Sequence, residues 1–380
     1  MPIVEFVFIG INLYAFRFLS YYPNRIAANK PVFLSNISPI FFLVLEISVL
    51  VAIFINGFVT KSNLVKIFNL LFCFAFVNLL IYISAEYAQK VYIENHIARV
   101  SLSFGFWLSE FFIYLILLDS LKNMNGFWKN LVISVFFVTI FIFLFSGFLN
   151  NIDIVREYYE RKNQFARELY MHIWLSLGSV VAALLLALPL GLLAYRKRRI
   201  SEKIFAVLNV IQTIPSIAMF GILMVPLSYL SSRSQFLARL GVAGIGYAPA
   251  IIALVLYAML PITRNIYTGL KNVPSHLRQA SIGMGMNNNQ LLFRVEIPLG
   301  ITEILTGIRI SLIQTIGNTA LAALIGAGGL GVFIFQGLGE SSNSLILLGV
   351  LPLIVMAIVA DILMQIIISL FAGKSYDKTG

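Results

Sequence analysis

Nine apolar runs, each long enough to form a helix of about 20 residues, divide this chain and leave only short polar segments between them. A bilayer core is about 30 Å thick, and unpaired backbone groups in that core are so costly that helices are the usual solution. The chain is therefore predicted to be an all-α polytopic integral membrane protein. The runs lie near residues 38–59, 66–85, 99–118, 128–149, 172–195, 203–228, 247–266, 301–325 and 345–372.

Composition supports a membrane protein and excludes several other classes. The 380 residues are 59% hydrophobic and 11% charged, whereas a soluble domain is about 25% charged. The net charge of +11 is spread over short loops, so no basic domain is present to bind nucleic acid, and no nucleic-acid partner is expected. The single cysteine, Cys73, excludes a disulfide within the chain and argues against a thiolate metal site.

The runs group into two blocks around a polar stretch. Residues 1–149 are predicted to hold four or five membrane helices of unknown role, and Met1 to Ser20 is interpreted as a weak first span or an uncleaved anchor. Residues 150–170 are predicted to be a polar extracytoplasmic linker, because this stretch carries charges of both signs. Residues 171–380 hold five further spans.

Lysine and arginine residues predict the orientation, because cytoplasmic loops carry more of them. Placing the basic loops of the second block inside also puts the C-terminus in the cytoplasm. The loops of the first block agree with that count. The residues used are Arg196, Lys197, Arg198, Arg199, Lys203, Lys271, Arg278 and Arg294 in the second block, and Lys61, Lys66, Lys122 and Lys129 in the first.

One polar segment between two spans, residues 271–298, is built like a compact projection. Pro274 is suited to begin a helix, and the residues from Arg278 to Ser281 continue it. Gly283 and Gly285 carry no side chain, so a partner backbone can approach there. Asparagines at 287–289 then turn the chain. A second short helix is predicted from Gln290 to Val295, with Pro298 ending it before the next span.

The spacing within this segment resembles the "EAA" loop of permeases of ATP-binding-cassette importers. Further motifs in the same order resemble the osmoprotectant branch of that family, and together they cover roughly the last 210 residues. The loop positions are Gln279, Ala280, Ser281, Gly285, Val295, Ile297 and Pro298. The flanking motifs are H-I-W-L-S at 172–176, P-L-G at 189–191, Q-T-I-P-S at 212–216, L-P-I-T-R-N at 260–265, T-G-L at 268–270 and I-G-A-G-G-L-G at 325–331.

The resemblance implies a five-helix importer core that imports quaternary amines such as glycine betaine, carnitine or choline across the bacterial inner membrane. It also implies three partners: an ATPase subunit that binds ATP and Mg, a second permease that is the same chain or a shorter paralogue, and an extracytoplasmic substrate-binding protein. No cofactor is expected on this chain. The family's loop glutamate is Gln279 here, which puts an ion pair with the ATPase at that position in doubt.

Several residues are candidates for the pathway or for holding the bundle together. Ionisable residues within spans are costly and are candidates for function, so Arg309 and Asp361 are predicted to be such residues, and a pair between them is open. Glu46 and Glu110 are the ionisable residues of the first block. The other candidates are Gln212, Pro215, Pro261, Asn265 and Asn318.

Two other functions remain as alternatives. An ion-coupled secondary transporter of small osmolytes would also be helical, but it leaves the cytoplasmic loop unexplained. A membrane enzyme in the first block would need clustered histidines or paired carboxylates, and the three histidines fall in separate loops or span edges; no catalytic residue or metal ligand is predicted. The glycines at 326–331 lack the G-K-[ST] of a phosphate loop. Close helix packing or a break in a span near its outer end is expected there, and packing is favoured over direct contact with substrate.

Overall fold

The computed structural model describes residues 2–25, 27–58, 63–122 and 124–376. The chain forms two compact units, Met1–Glu160 and Arg161–Gly380, and the division falls inside the segment predicted to be a linker. Within the described ranges, nine helices are long and apolar enough to cross a membrane. The predicted class, an all-α polytopic membrane protein, is confirmed. Lys61 and the last four residues lie outside the described parts of the chain.

The first unit contains seven helices and three short strands among its described residues. Its first helix is 14 residues long, or about 21 Å, which is less than the thickness of a bilayer core. The helices are α1 (Pro2–Ala15), α2 (Leu34–Ile37), α3 (Pro39–Phe58), α4 (Asn63–Glu94), α5 (Phe104–Leu121), α6 (Gly126–Phe145) and α7 (Asp153–Glu160). The strands are β1 (Leu19–Tyr22), β2 (Lys30–Val32) and β3 (Arg99–Leu102).

The three strands form an antiparallel sheet in the order β2-β1-β3, in which Leu19 pairs with both Val32 and Leu102. The sheet was not predicted, because the apolar run near 99–118 reads as one helix. In the structure Arg99–Leu102 is a strand, and the helix begins only at Phe104. Short strands of three or four residues leave too few alternating positions to be recognised in the sequence.

A buried arginine organises the polar end of the first unit. Arg99 Nη1 lies 2.8 Å from Asp153 Oδ1 and 2.8 Å from Glu157 Oε1, and Nη2 lies 2.9 Å from Glu160 Oε1. Burial lowers the pKa of Arg99, but the bonds to Asp153 and Glu160 outweigh this effect and hold the pKa above its ordinary value. One guanidinium therefore holds α7 against β3.

The second unit contains ten α-helices among its described residues, with a π turn and a 3₁₀ turn. The helices are α8 (Lys162–Arg196), α9 (Arg198–Thr213), α10 (Ser216–Arg233), α11 (Gln235–Arg239), α12 (Tyr247–Lys271), α13 (Ser275–Gly283), α14 (Asn288–Leu291), α15 (Ile297–Thr319), α16 (Gly331–Gly339) and α17 (Asn343–Tyr376). The π turn is Leu292–Glu296 and the 3₁₀ turn is Ala320–Ile325.

Two apolar runs of this unit were bounded wrongly from the sequence. The run near 203–228 is two helices, α9 and α10, which separate at Ile214 and Pro215 because a proline lacks the amide that would continue the first helix. The run near 172–195 is part of a longer helix: α8 starts ten residues earlier, at Lys162, and continues past Pro189 to Arg196.

Candidate functional site: the polar loop and the glycine turn

The polar loop between α12 and α15 is a helix–turn–helix, as predicted. Pro274 directly precedes α13, and Gly285 adopts a φ of +85° that favours glycine over any side chain. The Asn287 side chain accepts the amide of Gln290, whose own side chain accepts the Asn287 amide. This reciprocal capping box fixes the start of α14.

Pro298 does not end the second loop helix, so that expectation is wrong. The chain continues from α14 through the π turn directly into α15, and Pro298 sits in the first turn of that span. The wider π turn changes the hydrogen-bonding register just where proline has no amide to donate, and the Ile297 amide donates to Leu292 O. The loop is therefore joined to the span as one continuous helical segment.

A polar clamp holds the base of the loop. Glu296 is only 4% exposed and accepts a hydrogen bond of 2.5 Å from the hydroxyl of Tyr195, near the end of α8. Arg278 Nε lies 3.0 Å from Glu296 Oε1 as an ion pair, although its N–H does not point at that oxygen. Another Arg278 nitrogen donates to Leu270 O at the end of α12. The clamp thus joins α8, α12, α13 and the π turn.

The outer surface of the loop exposes apolar side chains. Met284 is 72% exposed, Phe293 is 64% exposed and Ile282 is 55% exposed. Among the residues predicted for partner contact, Gln279, Ala280, Gly283, Gly285 and Pro298 are exposed, whereas Ser281 is buried and Arg278, Val295 and Ile297 are half-buried. Exposed apolar groups on a polar projection are typical of a surface that binds another protein.

Three of the predicted pathway or bundle residues share one hydrogen-bond arrangement. Pro261 has no amide, so Tyr257 O, four residues earlier in α12, loses its helical partner. Gln212 Nε2 donates to that oxygen at 2.7 Å. The Tyr257 hydroxyl in turn donates to Ile214 O at 2.6 Å, beside the exposed Pro215. Two hydrogen bonds therefore join the break between α9 and α10 to the turn of α12 that precedes Pro261.

Glycines allow α12 and α15 to approach closely. A Cβ on Gly300 would lie 2.8 Å from Gly269 O, and a Cβ on Gly307 would lie 3.0 Å from Pro261 O. Asn265 stands against Gly307 and donates its side-chain amide to Pro261 O at 2.9 Å. Asn265 therefore packs between the two helices.

The remaining ionisable candidates lie apart from this contact. Arg309 and Asp361 form a two-pronged pair between α15 and α17, with Nε to Oδ1 at 2.5 Å and Nη2 to Oδ2 at 3.0 Å. Asn318 is half-buried near the end of α15. In the first unit, Glu46 and Glu110 each have one buried carboxylate oxygen without a hydrogen-bond partner among the described residues. No group of potential metal ligands occurs in those parts of the chain.

At the other end of α15, the glycine run forms a tight turn instead of a continuous helix. Gly326, Gly328 and Gly329 all have φ between +76° and +91°, a region that side chains rarely adopt. A Cβ on Gly331 would overlap the Ala320 backbone. The turn therefore needs glycine for its backbone conformation and for its close packing.

Two residues of α8 hold this turn. Glu168 Oε2 accepts the Gly329 amide at 2.8 Å, and His172 Nδ1 accepts the Leu330 amide at 3.2 Å. The other ring nitrogen of His172 then donates to Ile316 O at 2.9 Å. The side chain of His172, which falls at the edge of a predicted span, is fully buried among backbone groups of α15 and the turn.

Sequence reasoning missed Glu168, Tyr195 and Glu296 as parts of the site. Glu296 lies inside the predicted loop but is not one of the loop positions that carry the resemblance. Glu168 looked like one of several linker charges. The available signal was periodicity: Glu168 and His172 are four residues apart and share one helical face.

Comparison with known proteins matches two separate parts of the chain to two families. Residues 177–373 match the family described as binding-protein-dependent transport system inner membrane component. Residues 3–155 match the family described as the N-terminal domain of the ABC transporter permease YehY.

Individual relatives match about half of this chain and most of their own length. The carnitine transport permease protein OpuCB of Listeria monocytogenes is 38% identical over 208 residues, covering 55% of this chain and 88% of that protein. The glycine betaine/carnitine/choline transport system permease protein OpuCD of Bacillus subtilis is 38% identical over 209 residues, covering 54% and 84%. Among solved structures, the inward-facing MetNI methionine ABC transporter covers 55% of this chain and 95% of its own, with 21% identity and a TM-score of 0.48.

Proposed function

The chain belongs to the family of binding-protein-dependent transport system inner membrane components, and we propose that it imports quaternary-amine osmoprotectants such as glycine betaine, carnitine or choline. Its relatives carry these substrates in their names.

The polar loop is proposed to dock on a separate ATPase subunit that binds ATP and Mg. The observation that carries this assignment is the exposed apolar surface of Ile282, Met284 and Phe293 on a projection whose base is clamped by buried Glu296. The clamp restrains the base of the loop relative to the spans, and the exposed apolar side chains can pack against a partner. Gln279 is exposed and uncharged, so its contact with the ATPase is a hydrogen bond instead of an ion pair.

The orientation follows from this docking. The loop is cytoplasmic, and the basic residues from Arg196 to Arg199, next to the end of α8 that carries the clamp, agree with that side. The glycine turn, at the far end of α15, then lies on the extracytoplasmic side, and α17 returns the C-terminus to the cytoplasm. A second permease, either the same chain or a shorter paralogue, completes the pathway, and a binding protein delivers substrate from outside.

The docking is tested with Gly285→Arg in cells that express the ATPase. The new side chain stands on the exposed tip, so we expect loss of uptake and of ATPase co-purification. Gly241→Arg is the matched control: its φ of +79° imposes the same backbone strain, and nothing lies within 4 Å of its Cβ position. Uptake and ATPase association that remain normal in Gly285→Arg would disprove the docking.

A further inference from the structure

Two sets of polar contacts share α8. One is the polar clamp at the base of the loop, and the other, the turn clamp, consists of the bonds from Glu168 and His172 to the glycine turn. Tyr195 near one end of α8 bonds to Glu296 just before α15 begins. His172, toward the other end of α8, bonds to Ile316 O near the end of α15 and to the Leu330 amide in the glycine turn. The two helices are thus fastened to each other at both ends.

The separation of the clamps matches the thickness of a membrane. From His172 to Tyr195, α8 advances about 35 Å, and from Glu296 to Ile316 the π turn and α15 advance about 30 Å, at 1.5 Å per residue. A bilayer core is about 30 Å thick. The two clamps are therefore far enough apart to lie at opposite sides of a membrane.

The bonds have different chemistry from ordinary packing between spans. At the loop end, the buried Glu296 carboxylate accepts a hydrogen bond from the Tyr195 hydroxyl and forms an ion pair with Arg278. At the turn end, Glu168 and His172 accept backbone amides that the left-handed glycines direct out of the helix. The hydrogen bonds to the Glu296 and Glu168 carboxylates are charge-assisted and fix direction as well as distance, so apolar side chains sliding past one another cannot absorb a displacement of one end.

We propose that α8 and α15 form one transmission frame, in which Tyr195, Glu296, Glu168 and His172 are positioning residues that carry movement of the polar loop to the glycine turn. This inference rests on the proposed docking of the loop on an ATPase. Within the frame, α15 connects loop and turn through its backbone, and α8 connects them through the clamps. The turn, which departs from helical geometry, is the element that changes when the frame moves.

The test measures the accessibility of the glycine turn to a labelling reagent in the complete complex. Leu324, in the 3₁₀ turn next to the glycines, is 47% exposed, so Leu324→Cys is a reporter for maleimide labelling, and the buried Cys73 serves as the blank. Complexes are purified through the ATPase, so that every sample has a docked loop. Labelling rates are compared without nucleotide and with a non-hydrolysable ATP analogue.

The frame predicts a nucleotide-dependent change in the labelling rate when the clamps are intact. Tyr195→Phe, which removes one hydroxyl, and Glu168→Ala, which removes the acceptor for the Gly329 amide, should each lose that change. Glu168→Gln keeps an acceptor oxygen and should restore it. Tyr267→Phe is the matched tyrosine control, because its ring contacts Phe205 and Lys271 through the aromatic face.

Three other results overturn the inference. A nucleotide-dependent change that persists in Tyr195→Phe or in Glu168→Ala shows that the clamps do not carry the movement. No change in the parent complex, with the ATPase bound, shows that the turn does not respond, and it leaves the docking proposal intact. Failure of the ATPase to bind the parent chain instead contradicts the proposed function, and the frame fails with it.

Discussion

The two units of this protein use buried charge differently. In the first unit, Arg99 binds the carboxylates of Asp153, Glu157 and Glu160, so charged side chains satisfy one another. In the second unit, buried Glu296 also binds side chains, but Arg278 and Glu168, with the neighbouring His172, bind backbone carbonyls and amides at the ends of spans. The first arrangement holds a short helix and a sheet together, whereas the second holds the polar loop and the glycine turn.

This difference accounts for the contrast in motifs. A guanidinium among three carboxylates requires only complementary charge, which many sequences supply. A clamp on a backbone amide requires that the amide point away from its helix, which here depends on glycines at φ of +78° and +91°. The second unit therefore shows recognisable glycine and proline motifs, and the first unit shows almost none.

The largest effect is expected from Arg99→Met. Removing the cation leaves the Asp153, Glu157 and Glu160 carboxylates close together, and loss of one partner of a buried charge network costs about 3–5 kcal/mol. Thermal unfolding in detergent should show a much lower melting temperature. Lys90→Met is the control, because its pair with Glu86 is solvent-exposed. Equal losses in the two variants would mean that the buried network does not stabilise the first unit.

A smaller effect is expected from Gly300→Ala in the second unit. Its new Cβ would lie 2.8 Å from Gly269 O, and overpacking of this kind costs about 1–3 kcal/mol. Gly317→Ala on the same helix meets nothing within 4 Å and should be neutral or slightly stabilising. Melting temperatures of the two variants decide the point, and an unchanged value for Gly300→Ala contradicts the close approach of α12 and α15.

The smallest effect is expected at the Arg309 and Asp361 pair, whose side chains are 31% and 27% exposed. Reversing either charge places two like charges in contact and should lower the amount of folded protein and its uptake. Reversing both recreates the pair and should restore much of the loss. A double variant no better than either single one argues that the two residues act separately.

Much of the second unit was predictable because its determinants are local. The glycines and prolines of the loop fall at fixed spacings and predicted two short helices with a turn between them. The turn was placed at Asn287–Asn289, whereas the structure has it at Gly285, with Asn287 as the cap of α14. The polar loop and five spans were therefore expected from the residues alone, and the Arg309 and Asp361 contact was open from the start and is present in the structure.

The missed features depend on contacts between distant residues. Tyr195 and Glu296 are 101 residues apart, and Glu168 and Gly329 are 161 apart, so no local pattern joins them. The sheet of the first unit pairs Leu19 with Leu102 in the same way. The helical path through Pro298 was mispredicted because the π turn compensates for proline through a hydrogen-bond register that residue type does not reveal.

ATP hydrolysis in a partner is proposed to drive transport through this chain. The most direct measurement is uptake of labelled glycine betaine by proteoliposomes that contain the chain, its ATPase and the binding protein, with ATP on the loop side. We expect uptake that requires ATP, stops with a hydrolysis-deficient ATPase and is insensitive to collapse of ion gradients. Uptake that continues without the ATPase and follows an imposed ion gradient would contradict it.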